Sequence, residues 1–198
     1  MSKKKQAIMA AAIQLFSQRG YSATPVSVIA KEADVAEGTI FRHFTNKEDL
    51  FLQIIREIRQ GFFDALEQES RFSEMENGME MVLSLIRFHC RFYRMREIEF
   101  DLIHRNNPYQ MPHVGEPCRE EVKRMHDRML DLLKTGIRFG ITDGSIRKID
   151  MERSALMIQG MMTGIVRMRL FENIHMDQME EDVVQFCRNS LEPVSGKA

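Results

Sequence analysis

Residues 7–51 read AIMAAAIQLFSQRGYSATPVSVIAKEADVAEGTIFRHFTNKEDLF, and this stretch decides the fold. Its first apolar residues recur at intervals of three and four, which is the period of a helix with one buried face. The residues of that face are Ile8, Ala11, Ala12, Leu15 and Phe16. The pattern predicts a helix from about Lys3 to Arg19 that ends at Gly20, because glycine best tolerates the left-handed backbone of a helix C-terminus.

Two short helices are predicted next. Thr24 offers a capping hydroxyl, and a proline suits the first position of a helix that runs from about Pro25 to Glu32. Residues 33–36 form a tight connection, and a third helix is predicted from about Glu37 to His43.

The helical pattern continues along the rest of the chain. Thr45 and Glu48 match a capping box, which predicts a fourth helix from about residue 47 to Glu69. Turn-forming residues at 106–108 and 142–145 separate helices in the remainder. Five further helices are predicted near Met75–Arg94, Glu97–Arg105, Glu116–Phe139, Met151–Phe171 and Asp177–Leu191.

The second and third helices meet the packing demands of a helix-turn-helix. Ala30 is small where the two helices must approach each other. Ile29, Val35 and Ile40 are apolar at positions that face the first helix. The outer face of the third helix is then available to a DNA groove, and the N-termini of the third and fourth helices can address phosphates.

Three motifs, in this order and spacing, resemble the DNA-binding domain of the TetR family of regulators. They are AA..LF...GY..T, IA..A.V and GT(I/L)(F/Y).HF..KE.L, and they cover about Ala7 to Phe51. The resemblance implies an all-α protein with an N-terminal three-helix helix-turn-helix domain and a larger C-terminal helical domain for ligand sensing and dimerisation. We expect these domains over residues 1–46 and 47–198, connected by the helix of residues 47–69.

The resemblance also implies which residues contact DNA. Lys47 and Thr39 would contact the backbone, and Arg42 and His43 would lie in or beside the major groove. The planar fork of Arg42 suits O6 and N7 of guanine, and a plain phosphate contact is the equally weighted alternative. The full set is Thr24, Ser27, Lys31, Glu37, Gly38, Thr39, Phe41, Arg42, His43 and Lys47.

Four positions depart from the family pattern. Phe41 stands where tyrosine is commonest, so a phenolic hydroxyl is absent. Ala36 replaces the usual Ser or Thr cap, and Pro25 stands where Ser or Thr is frequent. Asp34 replaces the glycine of the turn, but aspartate tolerates a left-handed backbone better than most residues. We therefore expect fewer polar phosphate contacts and an intact fold.

A dimer seam is expected on the last two helices. Gly160 and Gly164 are four residues apart, and two small residues on one face let another helix approach closely. Packing within the chain is the alternative, and the family resemblance favours dimerisation. The expected interface residues are Gly160, Gly164, Met168, Met179, Val183 and Phe186.

A ligand cavity is expected in the same domain. The chain has 16 methionines, and their unbranched, polarisable side chains suit an adaptable apolar cavity, although a core simply filled with methionine is the plainer alternative. The candidate lining residues are Phe88, Phe92, Met95, Leu102, Met125, Met129, Met157 and Met161. Arg87, Arg91 and Arg94 recur at helical spacing and favour either an anionic ligand group or a solvated, ion-paired face.

Composition narrows the class of protein. With 43% hydrophobic and 29% charged residues, the chain is globular and not disordered. The net charge is −1, but residues 1–50 carry seven basic and five acidic groups, which points the N-terminal end at a polyanion. Cys90, Cys118 and Cys187 lack a disulfide or zinc spacing, which fits a reducing cytoplasm.

Several other classes of protein are not indicated. The basic start of the chain imitates a signal peptide, but Gln14 breaks its apolar stretch, and no segment approaches the length of a membrane span. The histidines show no metal-ligand spacing and no catalytic motif is present, so neither enzyme activity, a cofactor nor a metal is expected.

Taken together, the patterns and the family resemblance imply a cytoplasmic homodimer that represses transcription from a palindromic double-stranded DNA operator. A small, largely apolar ligand would release it. The alternatives are a regulator that activates or needs no ligand, and a helical enzyme or binding protein whose helix-turn-helix is only structural.

Overall fold

The computed structural model describes residues 2–69, 75–111, 114–168 and 176–193, and regular structure in these ranges is helical throughout. A 3₁₀ turn covers Pro108–Gln110. The nine α-helices are α1 Lys3–Arg19, α2 Val26–Glu32, α3 Glu37–His43, α4 Lys47–Glu69, α5 Gly78–Met95, α6 Glu97–Arg105, α7 Glu116–Asp143, α8 Met151–Met168 and α9 Met176–Leu191. The all-α fold is confirmed.

Helix bounds differ from the predicted ones where a cap decides them. α5 begins at Gly78 and not at Met75, because the side chain of Asn77 accepts a hydrogen bond from the Glu80 amide at 2.9 Å. α7 continues four residues beyond Phe139, and the chain turns at Gly144, whose φ is 82°. The predicted end of α8 at Phe171 lies outside the described residues.

Contacts divide the chain into two compact units. The first consists of Met1–Phe62 and Arg96–Arg124, and the second of Phe63–Met95 and Met125–Ala198. The first unit thus includes most of α4, all of α6 and the start of α7. A functional division at residues 46 and 47 stays a prediction.

α1 is the central helix of the first unit and packs against α2, α3 and α6. Its inward face carries Ile8, Ala12 and Phe16, which are fully buried. Ser2 caps its start, and Gly20 ends it with a φ of 84°, a backbone conformation that favours glycine. The predicted first helix is therefore confirmed at both ends.

In the second unit, α5 packs against α9 and α8. Its N-terminus also lies against α7, where a Cβ added to Gly78 would collide with the backbone of Gly136 and Gly140. An ion pair of 2.8 Å joins Arg188 of α9 to Glu80 of α5. Glycine at position 78 therefore permits a close helix approach.

Two predicted caps are wrong in detail. Pro25 is itself the N-cap of α2, and the Thr24 hydroxyl instead donates to the Gly20 carbonyl at 2.8 Å. At the start of α4, the side chain of Asn46 accepts from the Asp49 amide at 2.8 Å, and the Asp49 carboxylate accepts from the Thr45 amide at 2.9 Å. The capping box thus lies one residue later than Thr45 and Glu48.

Candidate nucleic-acid interface

The turn between α2 and α3 has the geometry of a helix-turn-helix. Asp34 adopts a φ of 51°, as its tolerance of this region predicts. The Val35 amide donates to the Ala30 carbonyl at 3.0 Å, which closes the turn. Ala30 is 4% exposed, so its small side chain fills the crossing of the two helices as expected.

Buried residues fix the orientation of α3. Ile40 of α3 and Ile29 of α2 are at most 1% exposed, and Val35 is half-buried. Ala36 has no polar side chain to cap α3, as expected, and only its carbonyl binds the Thr39 amide, at 2.8 Å. The buried stripe therefore directs the opposite face of this helix outward.

That outward face carries most of the residues expected to contact DNA. Glu37, Gly38, Phe41 and Arg42 are exposed, while Thr39 and His43 are half-buried. Phe41 is 52% exposed, so its ring is open to a partner on this face. A Cβ added to Gly38 would meet nothing within 4 Å, so this end of the helix is open to close approach.

The N-terminus of α4 places a cation beside this face. The Lys47 ammonium group lies 4.3 Å from the centre of the Tyr21 ring, an attractive cation–π arrangement. Burial lowers the pKa of Lys47 from its usual value. The unpaired amides of the first turn of a helix favour phosphate, so α4 offers both a side chain and a backbone for this contact.

An aromatic cluster supports that cation. The Tyr21 ring centre lies 5.4 Å from that of Phe16 and 5.0 Å from that of Phe51, both of them fully buried. Burial, followed by the negative charge of Glu48, raises the pKa of Tyr21 to about 12. The tyrosine is thus a neutral, anchored support for Lys47.

The α2 residues of the expected set have mixed positions. Ser27 and Lys31 are exposed. Thr24 is fully buried and its hydroxyl is bound to Gly20, so the expected DNA contact of this side chain is not supported.

The second unit does not gather all the expected ligand-lining residues into one cluster. Phe88 and Phe92 are buried and stacked with ring centres 5.6 Å apart, and Met125 and Met129 are also buried. Met95 is 77% exposed. Met157 and Met161 instead line an outer groove, and Leu102 belongs to the first unit.

The outer groove has a volume of about 390 Å³ and runs between the start of α8 and the end of α9. Its apolar rim includes Met157 and Phe186, which are 68% and 63% exposed. Further along α8, a Cβ added to Gly160 or Gly164 would meet nothing within 4 Å, and Met168 is 55% exposed. This side of α8 is apolar and uncovered in the single chain.

Two other expected interface residues differ in burial. Met179 is half-buried, whereas Val183 is 4% exposed and belongs to the core of its own unit. Arg94, a candidate for an anionic ligand group, forms an ion pair with Glu180 of α9 at 2.9 Å. Val183 is therefore withdrawn from the expected interface.

Comparison with known proteins identifies the protein family. Residues 8–54 match the family described as bacterial regulatory proteins, tetR family. The uncharacterized HTH-type transcriptional regulator YhgD of Bacillus subtilis is 29% identical over 160 residues, which are 78% of each chain. The chain therefore carries, over residues 8–54, the N-terminal domain of the TetR family of transcriptional regulators.

Solved structures extend the likeness of fold to the rest of the chain. FadR from Bacillus subtilis, in complex with stearoyl-CoA, has a TM-score of 0.75 and 22% identity and covers 94% of this chain and 99% of its own. A transcriptional regulator from Saccharomonospora viridis, in complex with choline, has a TM-score of 0.83 and 19% identity and covers 98% of this chain and 100% of its own.

Within the described ranges, the protein has no helix with both the length and the apolar composition that a membrane crossing requires. The same ranges contain no cluster of three His, Cys, Asp or Glu residues arranged to hold a metal ion.

Sequence reasoning missed two residues that support the candidate DNA-binding surface. The Lys5 ammonium group donates to Oε1 of Gln53 at 3.1 Å and lies 5.3 Å from the centre of the Phe44 ring. Asn106 binds the chain at the end of α1. Neither contact has a local signal, because each partner is tens of residues away in sequence.

Proposed function

We propose that this protein is a dimeric transcriptional repressor that binds a palindromic operator and releases it when a small, largely apolar ligand binds. The observation that carries the proposal is the outward face of α3, which presents Arg42 and Phe41 and is followed, after a three-residue connection, by Lys47 at the start of α4. A recognition helix needs this combination of base-reading side chains and a flanking phosphate contact.

The exposed residues of α3 can read bases by their chemistry. Arg42 can donate two hydrogen bonds to guanine, or one to a phosphate. Phe41 can cover the methyl group of thymine, and Glu37 can accept from the amino group of cytosine. Lys47 and the first-turn amides of α4 would fix the register on the backbone.

A second copy of the chain would cover the apolar side of α8. Met157, Gly160, Gly164 and Met168 follow one helical face, and the two glycines leave room for a partner helix. A twofold dimer would bring two copies of α3 to successive major grooves, about 34–36 Å apart.

The ligand would act by binding one form of the dimer better than the other. Tenfold release of DNA requires about 1.4 kcal/mol of preferential binding to the released form. Stearoyl-CoA and choline are the first probes, because structurally similar regulators bind them. The buried side chains of Phe88, Phe92, Met125 and Met129 are apolar, as the lining of an acyl-chain site would be.

DNA selection tests the proposal directly. Wild-type protein would be incubated with a random-sequence duplex library, and bound duplexes would be sequenced. We expect two inverted half-sites about one helical turn apart, because a twofold dimer reads a twofold sequence. A selection that enriches no sequence would overturn the proposal.

The oligomeric state tests the dimer seam. We expect Gly160→Leu to convert a dimer to a folded monomer in sedimentation velocity, because the added side chain meets open space within the chain. Arg128→Leu, at an exposed position of α7, is the matched control and should remain dimeric. A fully dimeric Gly160→Leu variant would place the seam elsewhere.

A further inference from the structure

The side chain of Asn106 lies at the C-terminal end of α6 and is 3% exposed. Its Nδ2 donates to the carbonyl of Phe16 at 3.0 Å and to that of Leu102 at 2.8 Å. Its Oδ1 accepts from the backbone amide of Tyr21 at 2.6 Å. One side chain therefore joins the end of α6, the last turn of α1 and the first residue after Gly20.

The residue that Asn106 holds is the one that supports Lys47. The Tyr21 ring packs between Phe16 and Phe51, and the Lys47 ammonium group rests on it. The Tyr21 backbone follows Gly20, the residue type with the widest choice of φ and ψ. A bond to the Tyr21 amide therefore removes much of the freedom that the glycine introduces.

We propose that Asn106 is a positioning residue for the DNA-phosphate contact of Lys47 and acts through Tyr21. This inference rests on the proposed function, because it takes Lys47 to contact DNA. When Asn106 fixes the Tyr21 amide, the ring stays in place and the long Lys47 side chain is ordered before DNA arrives. A side chain that is already ordered loses less conformational entropy on binding.

A double-mutant cycle tests whether the effect of Asn106 on DNA binding depends on Lys47. The DNA is the duplex that wild-type protein enriches most strongly from a random-sequence library, and Kd is measured by fluorescence anisotropy over a salt series. The proteins are wild type, Asn106→Ala, Lys47→Met and the double variant, each shown by circular dichroism to be folded at the assay temperature.

We expect Asn106→Ala to weaken binding about fivefold in the wild-type background and less than about twofold when Lys47 is already methionine. The salt dependence should show the same pattern, because loss of one phosphate contact lowers the slope of log K against log salt by about 0.9. If Asn106→Ala only destabilised the fold, it would weaken DNA binding equally in the wild-type and Lys47→Met backgrounds. Equal weakening in both backgrounds would therefore overturn the proposal.

Further variants separate positioning from folding. Asn107→Ala is the matched control, because Asn107 caps only its own turn through the Tyr109 amide at 3.0 Å, and it should bind like wild type. If Asn106→Ala does not fold, the cycle uses Asn106→Ser, whose hydroxyl is too short to hold all three groups.

The outcomes distinguish this inference from the proposed function. Failure of wild-type protein to enrich any duplex would overturn both. Tight wild-type binding that Lys47→Met weakens, combined with an additive Asn106→Ala effect, would overturn the positioning role alone.

Discussion

The Lys47 ammonium group and the Tyr21 ring face each other at 4.3 Å, where the start of α4 meets the end of α1. The contact joins the two segments that flank α2 and α3, the helices of the helix-turn-helix. It also places an aromatic face, and not a carboxylate, beneath the cation. Lys47 therefore keeps a net positive charge available to phosphate.

Alkaline unfolding should depend on Tyr21. Its pKa is raised from 10.0 to about 12, so the folded state retains a proton that the unfolded state loses. The resulting stability is complete below pH 10 and is lost as the pH rises towards 12. We expect Tyr21→Phe to reduce the loss of unfolding free energy between pH 9.5 and 11.5 by about 1–2 kcal/mol, measured by urea denaturation. Tyr109→Phe, at a 55% exposed position, is the control.

The register of the α4 cap is testable by two adjacent substitutions. Asn46 accepts the Asp49 amide through its side chain, whereas Thr45 takes part through its backbone. Asn46→Ala should lower the unfolding free energy by about 1 kcal/mol. Thr45→Ala should change it by less than about 0.5 kcal/mol. The reverse order would restore Thr45 as the cap.

Two glycines should respond oppositely to alanine. A Cβ at Gly78 would meet the backbone of Gly136 and Gly140, whereas a Cβ at Gly38 would meet open space. Gly78→Ala should destabilise the fold by about 3 kcal/mol, because backbone cannot move aside as a flexible side chain can. Gly38→Ala should be neutral or stabilise by up to about 1 kcal/mol, because alanine is the better helix former. Thermal and urea unfolding would show whether the signs differ.

Glu121 should contribute more to the free energy of unfolding than Glu116, which lies on the same helix. This carboxylate is 5% exposed and lies 3.1 Å from Nε of Arg56 and 2.7 Å from Nε of Arg59. Glu121→Gln should cost about 2–3 kcal/mol, because a partly buried arginine loses its counter-charge. Glu116→Gln, which breaks an exposed pair with Arg119, should cost less than about 0.5 kcal/mol. Equal losses in urea unfolding would argue against a special role for Glu121.

Local chemistry was enough to predict the helix-turn-helix. Helix period, the positive φ at Gly20 and the tolerance of Asp34 for a left-handed backbone act within a few residues, so the sequence reveals them directly. The α4 cap was missed by one residue because Glu48 had a competing partner. It accepts from the Gly115 amide at 2.6 Å, which is 67 residues away.

Contacts between distant segments were beyond the sequence patterns. The sequence indicated only that Asn106 belongs to a turn. Its hydrogen bond to Tyr21 could not be predicted, because the two residues are 85 positions apart. On α8 and α9, periodicity showed which residues share a face but not what covers that face. Met157 was therefore expected inside and lies outside, while Val183 was expected at an interface and is buried in its own unit.

The most direct test of DNA recognition compares Arg42→Ala and Lys47→Ala with wild type on the selected duplex and on a scrambled one, by anisotropy over a salt series. Lys148→Ala, an exposed lysine of the second unit, is the control. We predict that Lys47→Ala weakens binding to both duplexes and lowers the salt slope by about 1, whereas Arg42→Ala mainly weakens the preference for the selected duplex. Binding of both variants that matches wild type in affinity, slope and preference would contradict the assignment of α3 and α4 as the DNA-binding surface.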